Sequence, residues 1–565
     1  MRLGHGTTSF LSLSFLVLVG ASLASFCSCT LLASTTGQTS NRPVEDDIFQ
    51  STNLIRISIE ITEEGIQTLR RSQVRRSQIK PKAHASVTEG GRVYTNVIVQ
   101  LKGFTTFQPI DGLPALTLNF HKLAPKQRFH GLTKISLNNS LQDPTRLHEK
   151  LARELFAAAG VPVPRADHAL VTQNGRELGL YVLTEGYDKQ FLGRYFKRTD
   201  GNLYEGGVLQ DIDQPLKLSP GKNPTDHTGV QRLISAAREP NPVKRFHALE
   251  AALDMDRFLS MVAMETILCH SDSYSMNRNN YRLYHDPSTD KIVFMPHGMD
   301  RVLGTHRSSL DLRIVPPLLG MVARAVLSTP EGRRRHIERA GVLFTNIFHP
   351  DRLCLRVHEI DAKIAHEKMN RFVDRRFGGR SGQGHGQDAE DLCDRILERA
   401  AELKMQFAQL PDILAPTPSP KFDRAGVVRI DGWKPKRRAG QPETPYETDD
   451  HEGKEVLHLW TSNGRVTASL RSQVSLPAGR YRLAGQIKIA GSAGPANFAS
   501  AAILRYSGGR FGLERHRLDW REINFGFQVS EALAPEEIEL VCDIRDDSSE
   551  IWFDASSLRL IQEGK

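Results

Sequence analysis

Cysteine is scarce in this chain: six residues in 565, with no Cys-x-x-Cys pair. The four beyond residue 30, Cys269, Cys354, Cys393 and Cys542, are widely spaced. That excludes a zinc-ribbon pattern and a dense disulfide framework, and isolated buried thiols are the simplest reading. Aromatic residues are also few, at 7%. The basic runs Arg70–Arg76 and Lys434–Arg438 have no aromatics interleaved, so they read as solvated faces rather than a nucleic-acid groove. No Gly-x-Gly-x-x-Gly loop and no internal repeat is present. Past the N-terminus no stretch is apolar enough to span a bilayer. Charged residues at 25% and hydrophobic ones at 39% exclude a disordered or membrane-embedded chain, and a net charge of +9 is modest for this length.

What is present begins with Arg2 and His5 before an apolar core, Phe10–Ala24, and a Ser/Thr/Gly tract. This predicts a signal peptide over 1–35, with an uncleaved anchor as the alternative, and a polar linker over 36–52. The length calls for two or three domains. Alternation in "NLIRISIEI" from Asn53 marks the first strand, and His84–Gly103 reads as a hairpin turning at Glu-Gly-Gly. "ALTLNF" and "LTKISLNN" add strands. A helix capped by Asp143, with Pro144 at its first position, should run to Gly160. Then come a strand, an Asn-Gly turn, a strand ending near Glu185, and a helix. Ala248–Cys269 reads as one further helix, and 310–410 as mostly helical. "APTPSP" marks a Pro-rich linker over 413–425. Beyond it, 426–565 has the short alternating runs of an antiparallel β-sandwich.

The most unusual stretch is His270–Gly304, "HSDSYSMNRNNYRLYHDPSTDKIVFMPHGMDRVLG". It sets Asp272, Asn277, Asn280 and Asp300 around one hairpin. Together with "LKGFTTF", "NNSLQDPTRLHEKLARELFAAAGVPVPRA" and "NGRELGLYVLTEGYDKQFL", in that order, it makes residues 53–412 resemble the CotH family, atypical kinases named after spore-coat protein H. The resemblance implies an α+β, two-lobed protein-kinase-like domain, here followed by an all-β, jelly-roll-like sandwich. It implies ATP and Mg²⁺ or Mn²⁺ as cofactors. Asp272, in the His-x-Asp-x-x-x-x-Asn spacing of kinase catalytic loops, would orient the acceptor hydroxyl and take its proton. Asn277 or Asn280, with Asp300, would hold the metal. Lys102, or else Lys122 or Lys134, would meet phosphate, paired with Glu149 or Glu154. Glu185 falls where kinases offer backbone groups to adenine. Two departures matter. "PHGMD" has His297 and Gly298 where the family commonly has Trp and a first Asp, which leaves a weaker metal site or one joined by His297. "LKGFTT" replaces the usual Arg-Gly-Asn-Ser.

The implied activity is transfer of the γ-phosphoryl of ATP to Ser/Thr hydroxyls of a protein substrate, itself included, by a secreted or envelope (periplasmic) protein. The sandwich resembles carbohydrate-binding modules, so a polysaccharide or cell-surface ligand is its expected partner, met by Trp460, Trp520 and Trp552; core packing is the other reading of these rings. No nucleic-acid partner is expected. Two other functions fit the same residues: a catalytically inactive scaffold that binds surfaces, and a glycan or small-molecule kinase.

Overall fold

The computed structural model describes residues 47–72, 80–219, 221, 226–304, 310–369, 385–410, 417–435, 446–460, 468–491, 501–506, 519–529, 536–545 and 549–564. The expected signal peptide with Cys27 and Cys29, most of the 36–52 linker, residues 413–416 and parts of both basic runs lie outside these. Within the expected linker, Ile48 and Phe49 are buried, and Asp47 pairs with Arg165 at 2.8 Å.

Seven strands come first: β1 (Ile55–Ile61), β2 (Lys82–Glu89), β3 (Arg92–Leu101), β4 (Leu116–Asn119), β5 (Lys134–Asn138), β6 (Ala166–Gln173) and β7 (Arg176–Glu185). They close into a barrel in the order β1-β2-β3-β4-β5-β7-β6. The closing pair, β1 with β6, is parallel, and the other neighbours are antiparallel. The β2–β3 turn uses Gly90 and Gly91 at φ of 54° and 77°, the left-handed pair that a tight hairpin requires. Alternate residues such as Ile57, Ile59, Leu116, Leu118 and Leu137 fill the interior.

Helix α1 (Glu63–Arg70) packs beside β2, and α2 (His148–Ala158) lies between β5 and β6 in the chain. Helix α2 starts later than the sequence suggests. Asp143 accepts from the backbone N–H groups of Arg146 and His148, but Arg146 is left-handed at φ 62°, which breaks the helix path after Pro144. A further set of helices follows: α3 (Lys189–Tyr195), α4 (Thr228–Ala237), α5 (Pro242–Ala252) and α6 (Met255–Ile267). The single helix expected over 248–269 is thus two. Asp254 ends one and caps the next, accepting from the Arg257 N–H at 3.2 Å, while Leu253 pairs with Ile292.

Strands β8 (Leu203–Glu205) and β9 (Lys217–Ser219), between α3 and α4, join β10 (Tyr281–Asp286) and β11 (Lys291–Pro296), which follow α7 (Tyr274–Asn277), in a small sheet of order β11-β10-β8-β9. The helices α8 (Met321–Leu327), α9 (Pro330–Asn346), α10 (Pro350–Met369) and α11 (His385–Ala408) complete this part. One apolar cluster runs from α2 through α4–α6 to α11.

The remainder is all β. Strands β12 (Val427–Arg429), β13 (Lys434–Pro435), β14 (Tyr446–His451), β15 (Lys454–Trp460), β16 (Ala468–Leu476), β17 (Gly479–Gly491), β18 (Ala501–Tyr506), β19 (Arg521–Val529), β20 (Glu536–Arg545), β21 (Ser549–Asp554) and β22 (Arg559–Glu563) form two sheets, β12-β22-β17-β21-β15-β14 with β19 on β17, and β13-β16-β20-β18. Among the described residues their buried core runs from Ile430 to Leu560, with Phe422 and Val428 packed against it. The protein is therefore a mixed α/β chain with an all-β C-terminal part. Among the described residues no helix is long and apolar enough to cross a membrane.

One buried cation ties the α-helical part together. Arg399 of α11 is wholly buried and donates to the carbonyls of Thr266, Ile267 and Leu310 at 2.8, 3.0 and 2.7 Å. Arg399→Ala removes those donors and opens a cavity beneath the segment that leads to Asp272. It should lower unfolding free energy by about 3 kcal/mol, read from urea melts. A loss under about 1 kcal/mol would contradict this role.

Candidate active site

Helix α6 ends at Ile267, and Cys269 turns the chain with φ 49° into the loop before α7. Asp272 sits in that loop and collects three side-chain amides. Its Oδ1 accepts from Asn277 at 2.6 Å and Asn279 at 3.1 Å, and its Oδ2 from Asn280 at 2.9 Å. Asn280 also donates to the Asp272 carbonyl. A carboxylate offers about four acceptor positions, so one on Oδ2 stays open. With their N–H groups turned inward, Asn277 and Asn280 keep their Oδ1 atoms for another partner. Below the loop, Glu265 of α6 accepts from the Ser275 backbone N–H and hydroxyl, and pins the start of α7. Burial pushes the Glu265 carboxyl up to about 7, with Ser275 and Ser273 opposing. His270 is wholly buried, and that burial pushes its imidazole down to about 4, so it is neutral packing.

Asp300 follows β11, in the same electrostatic neighbourhood. Burial first, then the negative charges of Glu149, Asp143 and Asp272, push its carboxyl up to about 7. Gly298 has φ 55°, and a Cβ there would lie 2.5 Å from the Asn280 Oδ1. The missing side chain is thus what admits Asn280 to Asp272. His297 lies edge-on to Tyr187 at 5.6 Å. Burial and the nearby charges of Arg282, Lys102 and Arg153 hold it well below the usual histidine range. The imidazole is thus neutral among three cations, and the His297 backbone N–H donates to the Asn280 carbonyl at 2.8 Å.

On the barrel side Lys102 follows β3. Its ammonium donates to the Asn138 Oδ1 at 2.6 Å, and the Asn138 amide donates to Glu149 at 2.8 Å. Arg153, one turn along α2, holds the other Glu149 oxygen at 2.7 Å. Lys102 and Glu149 are therefore joined through an amide. Glu154 instead pairs with Arg356 at 2.9 Å. Burial brings Lys102 down to about 8, with Glu149 opposing. Burial would raise Glu149, but Arg153, Lys102 and Asn138 together hold it below the usual range. Of the competing lysines, Lys134 lies on β5 against Gly186, and burial and Arg282 lower it; Lys122 is exposed. Glu185 ends β7 with its carboxylate held by Arg194 and, at 3.5 Å, by Arg165. Its backbone N–H donates to the Arg165 carbonyl and that of Gly186 to Lys134, so both are spent within the sheet.

Asn138, Asn279, Arg153 and Glu265 were not singled out by the sequence. The Glu149-x-x-x-Arg153 spacing on a helix was a usable signal; a bridging asparagine or a buried glutamate has none. Among the described residues no three His, Cys, Asp or Glu side chains group as a metal site. The donors would still suit a hard cation: Asp300 is a recessed carboxyl with no ion pair among the described residues, and with the amide oxygen of Asn277 or Asn280 it is the donor type that Mg²⁺ or Mn²⁺ takes. In the sandwich, Trp552 is buried and stacks on His451 and His458, with centroids 4.6 and 4.8 Å apart. Trp520 donates its indole N–H to Glu452 at 2.7 Å beneath the Lys454 ammonium, and Trp460 leans on His458.

A strand-end lysine joined to a helix glutamate, with an Asp–Asn loop and a second aspartate, belongs to a kinase-like protein. The sequence profile of CotH kinase protein matches residues 115–403, just over half of the chain, and the chain belongs to that family. It is 24% identical over 190 residues to the inner spore coat protein H of Bacillus subtilis (strain 168), covering 31% of this chain and 51% of that protein. The chain thus spans about half the length of that curated relative. Among solved structures, the Helicobacter pylori proinflammatory kinase CtkA is 9% identical, with 64% of this chain and 100% of that chain covered at a TM-score of 0.28. A family 16 carbohydrate-binding module is 17% identical, with 21% and 86% covered at a TM-score of 0.16. Both likenesses are too slight to argue from.

The raised Asp300 carboxyl makes stability depend on pH. The folded protein holds that proton more tightly than the unfolded chain, so the contribution is complete below about pH 4 and is lost as pH rises through 7. Asp300→Asn should melt with the wild type near pH 4 and above it at pH 8, by differential scanning calorimetry. The same offset at both pH values would contradict the shift.

Proposed function

We propose that this chain is a CotH-type kinase that moves the γ-phosphoryl of ATP to Ser or Thr hydroxyls of a protein substrate, itself included. The barrel and the helical part act as two lobes around the nucleotide. The observation that carries the reading is Asp272: a carboxylate fixed by three amides, with one acceptor position open, beside the recessed Asp300 carboxyl. Asp272 orients the acceptor hydroxyl and takes its proton as the phosphoryl bond forms. Asp300, with the amide oxygen of Asn277 or Asn280, holds Mg²⁺ or Mn²⁺. When bound, the divalent ion neutralises charge on the triphosphate. Lys102, kept in place by Asn138 and Glu149, lends a positive charge to the phosphates. The backbone just past Glu185, rather than its engaged side chain, meets adenine.

The same reading makes the protein exported and held at a surface by its sandwich. The likeness to a spore-coat protein supports a cell-surface location. The Trp460, Trp520 and Trp552 group offers flat apolar area to a polysaccharide, although stacked histidines already cover part of Trp552. A second reading, a kinase-fold surface-binding protein without catalysis, is favoured by Gly298: the carboxylate that the family commonly carries there is missing.

The test is labelled ATP with Mg²⁺ or Mn²⁺ on the full chain, beside Asp272→Ala and Asp300→Ala. Incorporation should fall by about 10²–10⁴-fold in each variant. Wild-type protein with neither incorporation nor a nucleotide-induced rise in melting temperature would favour the scaffold.

A further inference from the structure

The sequence leaves Cys354 and Cys393 isolated, yet the fold makes them neighbours. They lie on the packed helices α10 and α11, and each Sγ is 3.9 Å from the other residue's carbonyl oxygen. His358, one turn beyond Cys354, brings its Nε2 to 3.7 Å from the Cys393 Sγ. The other two described thiols are placed differently: Cys269 donates to the Leu310 carbonyl at 3.7 Å, and Cys542 is buried within the sandwich.

The setting gives the pair consequence. Two residues past Cys354, Arg356 pairs with Glu154 of α2 at 2.9 Å, and further along α10 Lys363 pairs with Asp167 of β6 at 2.9 Å. Two residues past Cys393, Arg395 donates to the Leu303 carbonyl at 2.6 Å, just after Asp300. One turn on, Arg399 holds Thr266 and Ile267 ahead of Asp272. Helix α10 is thus bonded to the elements around Glu149, and α11 to the segments around Asp272 and Asp300. The two cysteines sit where these two sets of contacts meet.

We propose that Cys354 and Cys393 form an intramolecular disulfide that staples α10 to α11. The oxidant is a small-molecule disulfide such as oxidised glutathione, or the disulfide of a thiol oxidoreductase. Cys354, the more exposed thiol, attacks it as thiolate and forms a mixed disulfide, releasing one thiolate that takes up a proton. His358 accepts the Cys393 proton, and the Cys393 sulfur attacks the Cys354 sulfur. The second thiolate leaves and is protonated. The protein loses two electrons and two protons, and the oxidant gains them. Burial, then Cys354, pushes the Cys393 thiol up to about 12, so the closing step is slow at neutral pH and quickens as pH rises.

The test uses the full chain treated with oxidised glutathione and digested without reduction. A peptide joining Cys354 to Cys393 is expected, lighter by about two daltons than the sum of its parts. The melting temperature should rise by about 3 °C or more and return with dithiothreitol. Cys354→Ser should lose that dithiothreitol-sensitive increment. Four outcomes overturn the proposal: both thiols alkylated after denaturation of the oxidised sample, glutathione left on Cys354 alone, a cross-link confined to Cys27 and Cys29, or protection reversed by a chelator instead of a reductant. Phosphoryl transfer enters none of these readouts, so they are decided separately from the kinase reading.

Discussion

Three carboxamides end on the Asp272 carboxylate, and the geometry of the whole loop follows from that meeting. Neutral donors fix the orientation of an anion without neutralising it, whereas a guanidinium would do both. The contrast is visible nearby, where Glu149 and Glu185 are each gripped by arginine. Bringing Asn277, Asn279 and Asn280 onto one group takes a short helix, a left-handed Arg278 and Asn280, and a residue without a side chain at 298. Glu265 then anchors the far side of the same turn through Ser275. None of these parts is informative alone; each is needed because the acceptor is shared.

The two sides of the site carry opposite electrostatic strain. Lys102 is a cation short of water, and Asp300 an anion short of water among other acids. Burial disfavours the charge on each, and a polyanion with its counter-cation would offset both costs at once. Glu205 shows the opposite case: burial would raise it, but the charges of Arg282 and Lys217 keep it strongly depressed, so its charge is already spent.

Much of this was legible in the sequence, and the gaps have physical causes. The barrel strands could be read because alternation is local. The late start of α2 could not, since it depends on one left-handed arginine whose guanidinium reaches the Leu180 carbonyl. The break between α5 and α6 hid because Asp254 is a capping residue inside an otherwise helical run. The Lys102–Glu149 link passes through Asn138, and the Glu185 carboxylate is engaged by arginines. Partners at such separations leave no periodic trace. Gly298 reads in sequence as a lost ligand and in space as clearance for Asn280.

The parallel pairing of β1 with β6 has a consequence for how the polypeptide is made. Ile55 lies beside Ala169, and Asn174 brackets Ile61 through both backbone groups. The first of the barrel strands to be synthesised therefore has one seam left unzipped until the sixth has been made. During that interval its apolar side and open edge are exposed to anything that pairs with strands. A chain built this way gains from a holding chaperone early in its life, and a premature stop just before β6 would yield a sticky, unclosed product.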